Sequence, residues 1–356
     1  MEGRRWRRWA VAVGRGLVVL LALGTLGEGV SRAVLTAPSP SRYDERFGFV
    51  YRPGASIFSP TEGGARLRLN ERGLNDDALR QPPPRGRVLV LGDSFVEAFQ
   101  VERPQNFVSV AESLCRADLV NLGRSAFSPV HYAEWLERFS DLGGDLLVAT
   151  VGPEDADEVT APTVREVRDG AGRLAGLSAP AGEPRSRLRE ALAPLLEGSA
   201  LLTHLARRAG MLAGSVDLVG DLRGSWPGAA PERRPRAEAA PAVLRERLAF
   251  VLARLGVRAP VLVLYLPRIE WHPAGAAFLA RPAERDAVRA AATEAGAGFL
   301  DAGPAMLDHY ARTLVPSYGF DNLRVGTGHL NVVGHRVVGE LLAGWLAEHG
   351  RCPKER

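Results

Sequence analysis

Val88-Leu-Val-Leu-Gly-Asp-Ser-Phe95 joins a short apolar run to a helical pattern through the polar turn Gly92-Asp93-Ser94. Such a run is typical of a strand buried in a parallel sheet, and these sheets bind ligands at the carboxyl ends of their strands. Ser94 is therefore placed where a serine can act as a nucleophile. The alternative is that Ser94 only caps the helix that follows. This segment by itself leaves both interpretations open.

The same alternation of strand and helix patterns continues along the chain. Short apolar runs that predict strands occupy residues 87–92, 118–122, 145–151, 260–266 and 297–301. Helical patterns occupy residues 104–116, 129–140, 241–256, 282–296 and 332–348. Strands that alternate with helices predict an α/β fold, in which a parallel sheet is covered on both faces.

The segment 157–240 interrupts this alternation after the third strand. It is rich in arginine, alanine and proline, with helical stretches near 186–213. An insertion at this point predicts either a lid or substrate platform over the edge of the sheet, or a partly disordered surface excursion.

Charge and cysteine content exclude some classes of function. The formal net charge of the 356 residues is +4, and the four arginines within residues 4–8 account for as much. The remainder is close to neutral, so no nucleic-acid binding is indicated. Of the two cysteines, Cys115 lies in an apolar helical stretch and Cys352 in the polar tail, so a disulfide is possible without being indicated. We expect neither a metal site nor an organic cofactor.

The basic residues 4–8 precede an apolar amino-terminal segment. A positive flank before an apolar run predicts export, with the basic end retained in the cytoplasm. The uncharged run Gly16–Gly27 has the length of a signal peptide, whereas Trp9–Gly27 approaches the roughly 20 residues that span a bilayer. Because Glu28 follows this run without a small-residue cleavage site, we favour an uncleaved anchor over a removed signal.

Three further stretches carry polar residues that follow predicted strands or precede the last helix. These are Asn121-Leu-Gly-Arg-Ser-Ala126, Gly152-Pro-Glu-Asp155 and Gly328-His-Leu-Asn-Val-Val-Gly-His335. Together with Gly92-Asp93-Ser94, and in this order, they resemble the motifs of the SGNH/GDSL hydrolase family over roughly residues 85–350. The order of the motifs is more specific than any one of them.

The resemblance implies a flavodoxin-like three-layer sandwich with a five-stranded parallel sheet of order 2-1-3-4-5. Residues 157–240 would then be a helical insertion after the third strand. We expect residues 1–35 to form a signal anchor and residues 36–84 a connecting arm with a small hairpin. Residues 85–350 would form the SGNH-like hydrolase domain.

The resemblance also implies roles for individual residues. Ser94 would be the nucleophile and His329 the base, and the backbone N–H groups of Ser94 and Ala126 would bind the oxyanion. Asn121 and Gly123 of the second motif would line the site.

The chain departs from the family pattern at three places. Ala126 stands where the family has a glycine, Glu154 where it has the oxyanion asparagine, and Thr327 or Gly326 where it has the triad acid. An ionised Glu154 offers only acceptors, and the loss of one oxyanion donor typically costs about 100- to 1000-fold in rate. Alanine keeps its backbone N–H, so the change at Ala126 is the milder one.

Other carboxylates are candidates to orient the imidazole. Asp321 lies eight residues before His329 on the same predicted loop, and Glu154 and Asp155 follow a neighbouring strand. Each can equally be a solvated loop carboxylate, or line the site without touching His329. Asp321 is the best candidate for the triad acid.

These features predict a single-pass protein of a bacterial inner membrane whose catalytic domain faces the periplasm or the cell exterior. The expected activity is ester hydrolysis or O-acyl transfer, in which an acyl group passes from Ser94 to water or to a sugar hydroxyl. The expected substrate is an acyl ester or O-acylated glycan of the envelope, and the expected partner is the membrane. The alternative is a catalytically retired SGNH-fold scaffold that binds an envelope glycan or a protein.

Overall fold

The computed structural model describes residues 2–34, 40–59, 62–180, 199–202, 205, 240–272 and 276–353. The chain divides into two compact units, Met1–Arg42 with Glu183–Ala230, and Tyr43–Gly182 with Pro231–Arg356. We refer to these as the first and second units.

The second unit is built on a parallel sheet. The strands of the described chain are β1 Ser41–Asp44, β2 Gly48–Tyr51, β3 Ser56–Phe58, β4 Arg66–Arg68, β5 Val88–Gly92, β6 Leu119–Gly123, β7 Leu146–Val151, β8 Arg165–Arg168, β9 Leu174–Ser178, β10 Val261–Tyr265, β11 Ile269–Trp271, β12 Ala277–Leu279 and β13 Gly298–Asp301. The parallel sheet has the order β6-β5-β7-β10-β13, and the remaining strands form two-stranded sheets. Counted along the chain, this order is 2-1-3-4-5, so the predicted topology is confirmed.

Helices cover both faces of this sheet. The α-helices of the described chain are α1 Glu2–Val34, which belongs to the first unit, and α2 Ser94–Glu97, α3 Phe107–Cys115, α4 Pro129–Arg138, α5 Asp155–Val159, α6 Pro241–Gly256, α7 Pro282–Glu294, α8 Gly303–Thr313 and α9 Val332–Glu348, which belong to the second. Side chains alternate along a strand, so Leu89 and Leu91 of β5 share a core with α4, α6 and α7. Val88 and Val90 share the opposite core with α3, α8 and α9. The sequence patterns did not indicate α8.

The expected connecting arm is residues 36–84, and its part in the second unit, from Tyr43 onward, packs against the sheet domain. Phe47, Val50 and Leu74 are buried in the same core as β5. β3 and β4 form an antiparallel pair with its own small apolar cluster. The arm therefore shares the hydrophobic core of the second unit.

The segment after α5 begins with an antiparallel hairpin of β8 and β9. Val164, directly before β8, and Leu177 of β9 are buried in the core that contains Leu89 and Leu91. Most of the helical stretches expected near 186–213 lie outside the described residues. In the first unit, Glu28 of α1 accepts hydrogen bonds of 3.0 Å from the backbone N–H groups of Ala200 and Leu201.

A disulfide joins Cys115 at the end of α3 to Cys352 beyond α9, with Cα atoms 4.9 Å apart. The sequence allowed this bond without indicating it, because the two cysteines are 237 residues apart. It ties the carboxyl-terminal tail to α3.

One segment of α1, Val13–Arg32, is long and apolar enough to cross a membrane, with a mean hydropathy of 1.5. A signal sequence satisfies the same criteria of length and composition.

Candidate active site

Ser94 is the first residue of α2, directly after β5. Asp93 caps this helix, because its Oδ1 accepts the Phe95 N–H at 2.8 Å. The cap is therefore Asp93 and not Ser94. A Cβ at Gly92 would lie 2.0 Å from Cγ2 of Val96, so the sharp turn requires glycine.

The histidine loop meets this turn. Nε2 of His329 lies 2.9 Å from Oγ of Ser94, across 235 residues of sequence. The backbone around His329 is held by its own carbonyl, which accepts the Gly319 N–H at 2.8 Å. Asn331 adds a side-chain hydrogen bond to the carbonyl of Pro316 at 2.8 Å. The structure thus brings the proposed nucleophile and base within hydrogen-bond distance.

Glu62 completes the contact on the far side of the imidazole. Its Oε2 lies 2.6 Å from Nδ1 of His329, and its Oε1 accepts the backbone N–H of His329 at 2.9 Å. Nδ1 donates to this carboxylate, which leaves Nε2 as an acceptor for the Ser94 hydroxyl proton. Ser94, His329 and Glu62 therefore have the connectivity of a Ser-His-acid triad.

The carboxylate that contacts the imidazole of His329 is thus that of Glu62. The expectation that Asp321 makes this contact needs correction. The Asp321 side chain is exposed. It is the neighbouring Asn322 that contacts the Glu62 loop, by accepting the Gly63 N–H at 3.1 Å. Sequence reasoning missed Glu62 because the family pattern places the acid just before His329, whereas Glu62 precedes the nucleophile.

Two glycines, Gly63 and Gly328, allow the Glu62 loop and the His329 loop to approach closely. Gly63 has a φ of +77°, and a Cβ there would lie 1.8 Å from the carbonyl oxygen of Gln100. Gly328 has a φ of +93°, and a Cβ there would lie 2.6 Å from Oε1 of Glu62. Both positions therefore exclude other residues for steric and conformational reasons. The Glu-Gly-Gly run at 62–64 was the sequence signal that could have drawn attention to this loop.

Carboxylates around His329 favour its protonated form. Burial alone would lower the pKa of His329, but the hydrogen bond and charge of Glu62, with smaller effects of Asp93 and Glu154, raise it. Burial alone would raise the pKa of Glu62, yet its hydrogen bonds with His329 lower it. The imidazolium formed when His329 accepts a proton is therefore stabilised by its neighbours.

The backbone N–H groups expected to bind the oxyanion are those of Ser94 and Ala126. Within the described chain, neither the Ser94 nor the Ala126 N–H has a hydrogen-bond partner. Ala126 is exposed and has a φ of +63°, in the left-handed region that favours glycine. The alanine keeps the conformation for which glycine is the usual residue, and it retains the N–H donor.

Asn121 and Gly123 support the site from within. Asn121 donates from Nδ2 to the carbonyl of Val96 at 2.7 Å and accepts the Gly123 N–H at 2.9 Å. A Cβ at Gly123 would lie 2.1 Å from the backbone nitrogen of Glu97. Both residues are buried, so their contacts hold β6 against α2 rather than line the surface of the site.

The two acidic residues after β7 differ in environment. Asp155 is buried, and its Oδ2 accepts the Gly152 N–H at 2.6 Å. Burial and the charge of Asp93 hold the pKa of Asp155 well above its usual range. Burial likewise raises the pKa of Asp93 to about 6. Glu154 is half-buried, and its charge acts on both Asp93 and His329.

The second histidine of the last motif has a structural role. His335 is buried, and its Nδ1 accepts the Phe107 N–H at 3.2 Å. Burial lowers the pKa of His335 to about 3, so its imidazole is neutral. Over the residues that can be described, no group of three or more His, Cys, Asp or Glu side chains is placed to hold a metal ion.

No protein-family model matches the chain, and no curated protein matches it. Several solved structures are similar to it. An α/β hydrolase from the metagenome of Lake Arreo in Spain is 15% identical, with a TM-score of 0.40 over 76% of this chain and 98% of that one. A lipolytic protein of the G-D-S-L family from Veillonella parvula is 10% identical, with a TM-score of 0.40 over 73% and 98%. The acetylxylan esterase Axe2 from Geobacillus stearothermophilus is 13% identical, with a TM-score of 0.40 over 78% and 100%.

These likenesses are low, and the roles of individual residues rest on the geometry of this chain. The sheet order, the Gly-Asp-Ser turn and the contact of Ser94 with His329 are features that the resemblance to SGNH/GDSL hydrolases led us to expect. The carboxylate that contacts His329 is that of Glu62, which lies in the arm and not in the histidine loop.

Proposed function

We propose that this protein is a divergent SGNH-type ester hydrolase or O-acyltransferase that acts on acyl esters of the cell envelope. The observation that carries the proposal is the continuous contact from Ser94 through His329 to Glu62. A serine hydroxyl is a weak nucleophile unless a base accepts its proton, and the base is effective when a third group orients it.

The first half of the reaction acylates Ser94. Its Oγ bonds to the acyl carbon while its proton passes to Nε2 of His329, and Glu62 stabilises the imidazolium. The N–H groups of Ser94 and Ala126 donate to the oxyanion. The bond from the acyl carbon to the leaving oxygen then breaks, and His329 returns the proton to that oxygen.

The second half transfers the acyl group onward. Water or a sugar hydroxyl gives a proton to His329 and attacks the acyl-enzyme, and Ser94 leaves as the hydroxyl. Transfer to a sugar instead of water requires only that the acceptor occupies the site. The envelope glycan as substrate follows from location and analogy.

The proposed location outside the cytoplasm has two supports. The Cys115–Cys352 disulfide is of a kind that persists in oxidising compartments. The apolar segment Val13–Arg32 lies behind a basic flank, as in an uncleaved anchor. A carboxyl-terminal phosphatase fusion should be active outside the cytoplasm and sediment with membranes. Activity confined to the cytoplasm would refute this location.

Glu154 favours a second candidate, a scaffold that binds an envelope glycan or protein without catalysis. Its half-buried carboxylate occupies the motif position of the family's oxyanion asparagine and offers no donor when ionised. A retired enzyme would retain the fold while losing the ability to stabilise the oxyanion.

Labelling of the full chain with a fluorophosphonate separates the two candidates, because only an activated serine reacts quickly. We expect labelling and slow hydrolysis of a short activated acyl ester. Ser94→Ala should abolish labelling and lower the rate by at least about 1000-fold, with thermal stability nearly unchanged. Ser109→Ala, on α3 away from the triad, is the matched control and should retain both activities. Residual activity that Ser94→Ala does not affect would reject the hydrolase in favour of the scaffold.

A further inference from the structure

Glu97 is a buried carboxylate that the triad does not use. Glu97 is the last residue of α2, three residues after Ser94, and it is only 3% exposed. Its Oε1 accepts the backbone N–H of Ser125 at 3.1 Å, and its Oε2 accepts the Ser125 hydroxyl. A single side chain thus links the helix of the nucleophile to the residue before Ala126.

The surroundings of Glu97 compensate for the burial of its charge. Burial raises the pKa of Glu97, while the charge of Arg124 and the hydrogen bonds from Ser125 oppose this. The Tyr51 hydroxyl, whose pKa burial and Glu97 raise well above its usual range, hydrogen-bonds the same carboxylate. An uncompensated buried carboxylate is costly, so a site that surrounds one with three partners holds it in a definite geometry.

The residue held by Glu97 precedes a strained one. Ala126 has a φ of +63°, which costs an L-residue free energy and persists only where neighbouring contacts hold it. The turn is otherwise closed by the Arg124 N–H on the carbonyl of Gly92 at 3.0 Å, and by the Phe127 N–H on the carbonyl of Arg124 at 3.1 Å. The Arg124 carbonyl and the Ser125 N–H belong to one planar peptide unit. This unit is therefore held at its oxygen by the Phe127 N–H and at its N–H by Glu97.

We propose that Glu97 is a positioning residue for the oxyanion site. By holding Ser125, it keeps Ala126 in the conformation that aims its N–H at the carbonyl oxygen of an ester bound on Ser94. The inference rests on the proposed hydrolase function and extends it to a residue outside the triad. Because Glu97 and Ser94 share one short helix, the donor and the nucleophile keep their relative position.

The test compares two substitutions of similar size in the full chain. Glu97→Leu removes both acceptors, and we expect kcat for a short activated ester to fall about 10- to 100-fold, less than the loss of a whole donor. KM should change by less than about 3-fold, because the ground-state ester makes little use of the oxyanion donors. Glu97→Gln retains an acceptor for the Ser125 N–H and should recover most of kcat.

Binding of a trifluoromethyl ketone that forms a tetrahedral adduct with Ser94 gives a second readout. Its affinity should fall in Glu97→Leu by about the same factor as kcat, as expected for a transition-state analogue. Val288→Ala, in the core of α7, is the control for lost stability and should retain both kcat and inhibitor affinity. If Glu97→Leu does not fold, Glu97→Asp, whose shorter side chain misaligns the contact, should lower kcat about 10-fold.

The outcomes separate the two proposals. An active wild-type protein whose kcat and ketone affinity are unaffected in Glu97→Leu or Glu97→Asp would overturn the role of Glu97 alone. A wild-type protein without Ser94-dependent hydrolysis would overturn the hydrolase and, with it, this role.

Discussion

Glu62 and His329 are 267 residues apart in the sequence, yet two hydrogen bonds join them, from Nδ1 at 2.6 Å and from the backbone N–H at 2.9 Å. The bidentate contact fixes both the imidazole ring and the loop that carries it. The residue that orients the base is thus supplied by the arm that links the apolar amino-terminal helix to the sheet.

Replacement of Glu62 should therefore inactivate the enzyme, and replacement of Asp321 should not. Glu62→Gln is expected to lower kcat/KM for a short activated ester on the order of 1000-fold or more, because the imidazole loses both its orientation and its counter-charge. Asp321→Asn, the matched control, should change kcat/KM by less than about 2-fold. If Asp321→Asn lowers kcat/KM as much as Glu62→Gln does, Asp321 also acts as an acid in the site.

The pH dependence of the rate should reflect the raised pKa of His329. The base acts only when neutral, so kcat/KM should rise with pH through a midpoint above the ordinary imidazole value of about 6.5. Glu62→Gln removes the largest favourable charge and should move this midpoint to lower pH in the residual activity. If the midpoint in Glu62→Gln equals that of the wild type, a group other than His329 causes the rise of kcat/KM with pH.

The raised pKa of His329 also predicts that stability falls with pH where the rate rises. A histidine whose pKa is raised in the folded state contributes stability that is complete below its unfolded pKa. That contribution is lost as the pH rises through the folded pKa. The contribution of the His329–Glu62 pair should thus decrease over the range in which the rate increases, as denaturant unfolding of wild type and His329→Gln at several pH values would measure.

Ala126→Gly should leave the turn intact. A φ of +63° costs alanine about 1–2 kcal/mol, and the added backbone freedom of glycine in the unfolded chain offsets about 0.5–1 kcal/mol of the relief. We expect the free energy of unfolding to rise by about 0–1.5 kcal/mol in denaturant titration, with kcat within about 3-fold. Leu314→Gly, at a φ of +60° on the exposed end of α8, is the control away from the site. Loss of more than about 1 kcal/mol in Ala126→Gly alone would contradict this account.

Restoring the family's residues should help at one position only. Glu154→Asn exchanges a charge that opposes the oxyanion for a possible donor, so kcat should rise by about 10-fold or more. Thr327→Asp should change kcat by less than about 3-fold, because Nδ1 of His329 already has Glu62. Steady-state kinetics of both variants, with Glu158→Asn as the control on α5, would measure this. A gain only in Thr327→Asp would indicate that Glu62 does not orient the base.

Local features of the sequence were sufficient to predict the strands and helices of the parallel sheet domain, whereas the strand order and the roles of Ser94 and His329 were implied by the resemblance to SGNH/GDSL hydrolases. Buried strands, their helices and glycine turns such as Gly92 each leave a signature within a few residues. These signatures do not depend on distant parts of the chain. The placement of the serine and the histidine at one edge of the sheet followed from the strand order that the resemblance implied.

The acid and the supports of the oxyanion site depend on packing between distant segments, which no local pattern encodes. Glu62 meets His329 only because Gly63 and Gly328 allow two loops to approach closely. Glu97 meets Ser125 only because β5 and β6 pair in register. Such contacts arise when the hydrophobic core brings the arm, the nucleophile turn and the histidine loop together. The carboxylate of Glu62, which the sequence alone would place on a solvated loop, then becomes part of the site.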